Sequence, residues 1–397
     1  MNTIAILAFI ISVVIILILS KKSITIGIFA ASIFLGIVTI PLELLFFYLY
    51  STFFNIEYLL LATAVGIIPI IGGLLNKTGM LDEMIKNYKF SKKTLLIFSP
   101  AVLGLLPMPG GALFSAPMVE KTTDEVSSIR KASINEWFRH IFHLIYPLAT
   151  ALIIGAELAG LATYIAAAFV FPAFLVSLVL GVFLLLKNVK DGTKAKNISI
   201  AKFLKPLLVL LLAPIIDITL KIIFNIKYLA TFIGVTVSLL LLILFTKVDT
   251  KTFTEVFKSS KPWDFFFLII AIFLYQNIFI NSGVPNIFRE TSFSPYLILI
   301  VASFALGVLT GRLSTPLVIL IPIYIIKFGT MSPLNFAILY YSTMMGYIIS
   351  PVHPCLVFTA QYFRVDVKDV MKDLSLVTFA SLLLGVSFLE LIYFLNI

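Results

Sequence analysis

Two stretches decide the fold: RHIFHLIYPL, residues 139–148, and YIISPVHPCL, residues 347–356. Each lies in an apolar segment of membrane-helix length and carries a proline, and Pro147 and Pro351 stand 204 residues apart. A proline inside a helix deletes one backbone hydrogen bond and crowds the turn before it, so each stretch predicts a kink or an unwound segment. The same offset joins Gly79 in NKTGML to Gly283 in NSGVPN, and an offset of 203 joins Gly104 in VLGLL to Gly307 in ALGVL. Such a spacing is far longer than a solenoid period. It is the length of half a transporter, and it predicts two fused repeats, residues 1–195 and 196–397.

Composition names the solvent. With 60% hydrophobic residues, 12% charged and a mean hydropathy of +1.11, the chain lies outside the range of soluble domains and reads as an all-α polytopic protein of the cell membrane. A net charge of +10 raises the question of nucleic acid. The Lys and Arg residues, however, fall in short segments between apolar runs, with no basic face interleaved with aromatics, so membrane lipid and not nucleic acid is the expected surrounding. Cys355 stands alone, which excludes an internal disulfide and a thiolate cluster. The first apolar run, 4–19, has neither a basic leader nor a small-residue cleavage site and is expected to be an uncleaved transmembrane helix.

Hydropathy places five spans in the first half, near 4–20, 24–41, 58–76, 135–156 and 160–186, and five in the second, near 206–224, 228–246, 262–281, 336–360 and 374–396. Between the third and fourth spans of each half lies a further apolar segment, 94–119 or 296–327, interrupted by LPMPGGALFSAP or LTGRLSTP. Each interruption predicts a re-entrant hairpin. With the N-terminus outside, 23 of the 29 basic residues fall in cytoplasmic loops, as the positive-inside bias requires. Five crossings per half is an odd number. The expected architecture is therefore two inverted-topology repeats, each of five transmembrane helices plus one re-entrant hairpin.

A helix broken within lipid bares amides and carbonyls that must be buried in protein or line a cavity, so the four breaks are where chemistry is sought. The first offers Pro109, Gly110 and Gly111, with Ser115 following. The second offers Thr310, Gly311, Arg312, Ser314 and Thr315. The fourth spans add His143 and Tyr146 before Pro147, and Ser350 and His353 around Pro351. Amides at broken-helix N-termini and the Arg312 fork both suit a carboxylate. Glu136 is expected near a span end, solvated by water and headgroups, and no carboxylate is expected at a break. Asp217 is expected to pair with Lys221 one turn on. Gln276 and Asn277 are expected to make interhelical hydrogen bonds.

The stretches GLLPMPGGALFSAPMV (104–119), NEWFRHIFHLIYP (135–147) and GYIISPVHPCLVFTAQYF (346–363) resemble domain-of-unknown-function family 401 of prokaryotic integral membrane proteins. That family is grouped with the Ion Transporter superfamily, beside gluconate, citrate and C4-dicarboxylate permeases. The resemblance covers nearly the whole chain. It implies an inverted-repeat secondary transporter whose hairpins and broken helices belong to a mobile domain beside a static scaffold, and a homodimer is common in the superfamily. The Ser-Asn-Thr hairpin motifs of its sodium-coupled dicarboxylate carriers are matched neither at Pro109–Gly111 nor at Arg312–Ser314.

The expected function is secondary active transport, by alternating access, of a small organic anion such as a carboxylate, coupled to Na⁺ or H⁺, with no resident cofactor and no catalysis. No phosphate-binding GxxxxGK[ST] loop marks a primary pump. The alternative is a divalent-metal permease or intramembrane metalloenzyme. There His140, His143 and His353 would converge as ligands, with Glu136 as a further ligand or base.

Overall fold

The computed structural model describes residues 2–20, 22–86, 91–105, 112–190, 192, 200–285 and 292–395, and among these all regular structure is helical. The first half runs α1 (Asn2–Ser20), α2 (Ile24–Thr39), α3 (Leu42–Phe53), α4 (Ile56–Lys77), α5 (Met80–Lys86), α6 (Lys92–Gly104), α7 (Ala112–Thr122), α8 (Ser128–Ile141), α9 (Thr150–Leu158) and α10 (Thr163–Leu185). The second runs α11 (Ile200–Phe224), α12 (Tyr228–Thr246), α13 (Thr250–Ser260), α14 (Pro262–Asn281), α15 (Leu297–Thr310), α16 (Ser314–Phe328), α17 (Pro333–Ile348), α18 (Pro354–Phe363) and α19 (Val367–Phe394). Six of these helices are long and apolar enough to cross a membrane: α4, α10, α11, α12, α14 and α19. Large apolar side chains face outward along α1, α2, α10, α11, α12 and α19, which only a hydrocarbon solvent tolerates on this scale.

The chain packs as two helical bodies. One contains α1–α4 and α11–α14, centred on the contact of α4 with α14; the other contains α6–α10 and α15–α19, centred on α8, α10, α17 and α19. Helix α5 packs on α4, α11 and α6 and links the two. Packing pairs recur when the halves are exchanged. Thus α1 lies on α2 as α11 on α12, α2 on α14 as α12 on α4, α6 on α8 as α15 on α17, and α7 on α18 as α16 on α9. Three short helices, α3, α5 and α13, were not among the expected spans.

Local chemistry fixes the boundaries. Asn55 caps α4, its Oδ1 accepting from the amides of Glu57 and Tyr58 at 2.9 and 3.2 Å. Gly79 and Gly283 follow the ends of α4 and α14 with φ of +72° and +77°, a left-handed conformation that L side chains adopt only with strain. Both fourth spans are broken. After α8 comes one 3₁₀ turn, Phe142–Leu144, and the chain is irregular through Pro147 until α9 begins at Thr150. Helix α17 ends at Ile348, Pro351 falls in the gap, and Pro354 opens α18 at the position where its missing N–H costs nothing.

Candidate functional site

Helix α8, SIRKASINEWFRHI, is strongly polar, yet the bundle encloses it. Ser133, Asn135, Glu136, Arg139 and His140 are all buried, the carboxylate of Glu136 completely. Ser127 starts the helix by accepting from the Arg130 amide at 3.3 Å, and α6, α7, α10, α18 and α19 cover it. Close approach is possible because Gly104 of α6 has no side chain: a Cβ there would stand 2.2 Å from the Arg139 carbonyl oxygen. The counterpart contact between α15 and α17 is built the same way, with Gly307 against the Thr343 carbonyl and Gly346 against that of Phe304.

This crowding brings one carboxylate between two imidazoles. Glu136 Oε1 lies 2.9 Å from His353 Nδ1 and 3.2 Å from His140 Nδ1. His140 Nδ1 is also 2.7 Å from the Glu136 carbonyl oxygen, the partner it has as an Nδ1–H donor. Neither approach to the carboxylate has hydrogen-bond angles, so both Glu136 oxygens and both His353 ring nitrogens lack a hydrogen bond among the described residues. The two rings meet edge-on with centroids 4.6 Å apart, and Tyr347 lies over His353 at 3.9 Å. Beside them the buried Arg139 guanidinium lies near the Cys355 thiol, and its Nε and Nη1 have no hydrogen-bond partner among the described residues.

The turn between α15 and α16 abuts the same place. Gly311, at φ +56°, ends α15, and a Cβ on it would stand 2.8 and 2.9 Å from backbone atoms of Val352 and His353. Ser350 Oγ ties the break to α15 by donating to the Val308 carbonyl at 2.6 Å. Thr310 Oγ1 closes the turn, donating to the Leu306 carbonyl and accepting from the Arg312 amide. The partly buried Arg312 acts electrostatically on Tyr347. Asp217 and Asp264 are not its partners: Asp217 holds Lys221 at 3.0 Å, Thr231 and Tyr164, and the carbonyl of Asp264 accepts from Thr25.

Residues 3–392 match the family model described as Protein of unknown function (DUF401). The chain belongs to the DUF401 family. No curated protein matches it.

Of the residues singled out in this DUF401 sequence, Thr310, Gly311, Arg312, Ser350 and His353 lie together around the second break. Thr315 is fully buried with an unpartnered hydroxyl, and Ser314 is partly buried at the start of α16. Ser115 is buried and donates to the Ala112 carbonyl at 3.3 Å. Pro109, Gly110 and Gly111 lie outside the described residues. Tyr146 turns away, its hydroxyl reaching the Leu210 carbonyl of the other body. The expected pairs Asp217–Lys221 and Asn277–Thr52 form.

Two expectations need correction. Glu136 is not a solvated span-end residue: α8 begins at Ser128, two turns earlier than the apolar run indicated, which carries the carboxylate into the core and sets it at a break. The three imidazoles do not form the expected set either. His143 lies on the far side of His140, at 6.1 Å between centroids, and the donors that gather are those of His140, His353 and Cys355, within 4.8 Å of one another. Arg139 at the thiol already puts a fixed positive charge there. Sequence reading passed over Arg139 and Cys355. The signal for both was available, because a polar helix in so apolar a chain must be buried.

A cavity of about 160 Å³ lies between the two bodies, lined by Pro147, Glu157, Asp217, Lys221, Tyr228 and Thr231 among others. Glu157 of α9 spans the junction, 3.0 Å from Lys227 Nζ and hydrogen-bonded by the Tyr228 hydroxyl. The first break therefore ends at this cavity, and the second at the Glu136 cluster.

Proposed function

We propose that the protein is a secondary active transporter, not an enzyme, carrying a small organic anion by alternating access. Its halves are inverted repeats, α6–α7 and α15–α16 are re-entrant hairpins, and the body containing them moves against the body built on α4 and α14. The observation that carries this reading is the convergence of the α15–α16 turn and the broken α17–α18 helix on fully buried, incompletely partnered polar groups. Unpaired donors at membrane depth cost several kcal/mol unless a ligand meets them part of the time. The recurrence of packing pairs on exchanging the halves supports the repeat. Arg312, with no carboxylate partner among the described residues, and Arg139, near the buried Glu136 carboxylate, supply the positive charge that favours an anion. Placement beside the gluconate, citrate and C4-dicarboxylate permeases is part of the same proposal, as are the cell membrane as the site of action and a homodimer as the assembly.

Thermal stability of the purified protein, measured with gluconate, citrate, succinate and acetate, with and without Na⁺ and across pH, tests the reading. A ligand present at 100 times its Kd stabilises by about 2.7 kcal/mol. Stabilisation by at least one acid, followed by its uptake into proteoliposomes, is the expected result. Stabilisation by zinc alone, with no response to any acid, would transfer the proposal to the metal alternative.

A further inference from the structure

We propose that the coupling ion is a proton and that Glu136, clamped between His140 and His353, is the group that carries it. This rests on the carrier reading above and goes beyond it by naming the ion and its seat. The geometry supplies the reason. A sodium ion needs a shell of oxygen ligands, as other hard cations do. Within reach of Glu136 Oε1 are instead, among the described residues, the ring nitrogens of His353 and His140, at 2.9 and 3.2 Å, with Arg139 and Cys355 nearby. Nitrogens and a thiol beside a carboxylate make a poor cage for Na⁺ and a good exchange site for H⁺, since either imidazole can hold or release a proton while Arg139 stays charged.

The groups facing this carboxylate come from several elements. Arg139 and His140 share α8 with it, and His143 follows on the first break. Tyr347 comes from α17, His353 from the second break and Cys355 from α18, and Arg312 acts on Tyr347 from the α15–α16 turn. The other helices packed on α8 keep their charges at their ends, where Lys92 meets Glu125, Glu120 meets Tyr362 and Asp373 meets Arg130. No carboxylate besides Glu136 therefore lies in the cluster among the described residues. The step is a plain protonation: one O–H bond forms on the carboxylate from one face, the same bond breaks toward the other, and no electron pair leaves the protein. In the anionic form Glu136 balances the nearby Arg139. Once it is neutral, Arg139 is uncompensated and free to hold an anion, which ties loading of the proton to loading of the substrate.

Two measurements test this. Infrared difference spectra of the reconstituted protein between about pH 4 and 10 should contain a protonated-carboxyl band that vanishes on raising the pH. Glu136→Gln should lose that band, Asp217→Asn should keep it, and His353→Gln, which retains Glu136, should move its midpoint by about one pH unit or more. In proteoliposomes with a pH dye inside, gradients of gluconate, citrate, succinate and acetate should drive proton movement in the parent. Glu136→Gln should lose that proton movement. A band that persists in Glu136→Gln, a midpoint unmoved by His353→Gln, or undiminished proton movement in Glu136→Gln would overturn the proposal. Absence of exchange by the parent with every probe would instead count against the carrier reading, leaving the infrared result to decide whether Glu136 exchanges a proton.

Discussion

Arg312 directly follows Gly311, which contacts His353, and is partly buried with no carboxylate partner among the described residues. Placing an arginine at mid-membrane costs roughly 2.5–3.5 kcal/mol on insertion scales, a cost that a bound anion offsets. Arg312→Lys keeps the charge but loses the planar fork, so it should fold and insert normally while weakening acid-induced thermal stabilisation by at least about tenfold in apparent Kd. Arg312→Gln should abolish uptake with little change in Tm. Normal binding with a lowered Tm in Arg312→Gln would make the residue structural and leave Arg139 as the anion's partner. At this scale the sequence was a mixed guide. Arg312, Ser350 and His353 were legible because they sit on visible breaks. Glu136 was legible only as a further ligand or base beside the histidines, and its meeting with His353 was not, because that proximity is created by the packing of α8 against α18 and leaves no trace in either segment.

Among the elements, the glycine contacts between hairpin helices and broken helices are the least tolerant of change. A Cβ at Gly346 would stand 2.1 Å from the Phe304 carbonyl oxygen, a backbone atom that no side-chain rotation can move aside. Gly346→Ala must push α17 from α15, and it should cost about 1–3 kcal/mol in unfolding measurements. Gly79→Ala meets no atom within 4 Å and carries only the strain of its positive φ, so it should cost less. On the loop face, the Lys92 ammonium bonded to Glu125, with the Lys190 amide on its other oxygen, holds that carboxyl below the usual carboxylate range. A lowered folded-state pKa contributes stability that is fully present above the unfolded value and fades as pH falls through the folded one. The protection factors of amides 186–190, corrected for intrinsic exchange, should thus fall on acidification below about pH 4 and stay unchanged from pH 5 to 8. Spans and breaks were readable because prolines and glycines interrupt apolar runs. Helices α3 and α13 were not: Leu42–Phe53 is too short to register as a span, and Thr250–Ser260 is amphipathic and lies between two apolar runs.

For the whole molecule, the junction of the two bodies is bridged by Glu157 with Lys227 and Tyr228, at the rim of the cavity that reaches Pro147. Exposed ion pairs contribute about 1 kcal/mol or less. This one can open at little cost, as the proposed movement of one body against the other requires. Replacing Glu157 and Lys227 with cysteines and joining them with a short bifunctional maleimide should stop uptake while leaving acid-induced thermal stabilisation intact. Full uptake by the cross-linked protein would mean that the bodies do not move apart there. The sequence indicated two halves and an apolar solvent, but it held no sign that helices of both halves would interleave into each body, because that arrangement depends on pairings 150 residues or more apart, such as α4 with α14 and α10 with α19.

Helix α15 opens with π-helical turns over Leu297–Ala302, where Ser303 Oγ donates to the carbonyls of both Ile298 and Leu299 at 2.5 and 2.9 Å. Wide turns of this kind hold one surplus residue relative to an α-helix. That surplus is slack. Deleting one residue between 297 and 302 should relax the wide turn to ordinary α geometry and leave Gly307 still facing Thr343, whereas deleting one between 303 and 306 would swing Gly307 around the axis by about 100° and drive a side chain into α17. Expression and Tm of the two deletion series separate these outcomes, and a helix that can shorten at its root without turning its tip has a means of carrying Thr310 and Arg312 along the axis while keeping their bearing.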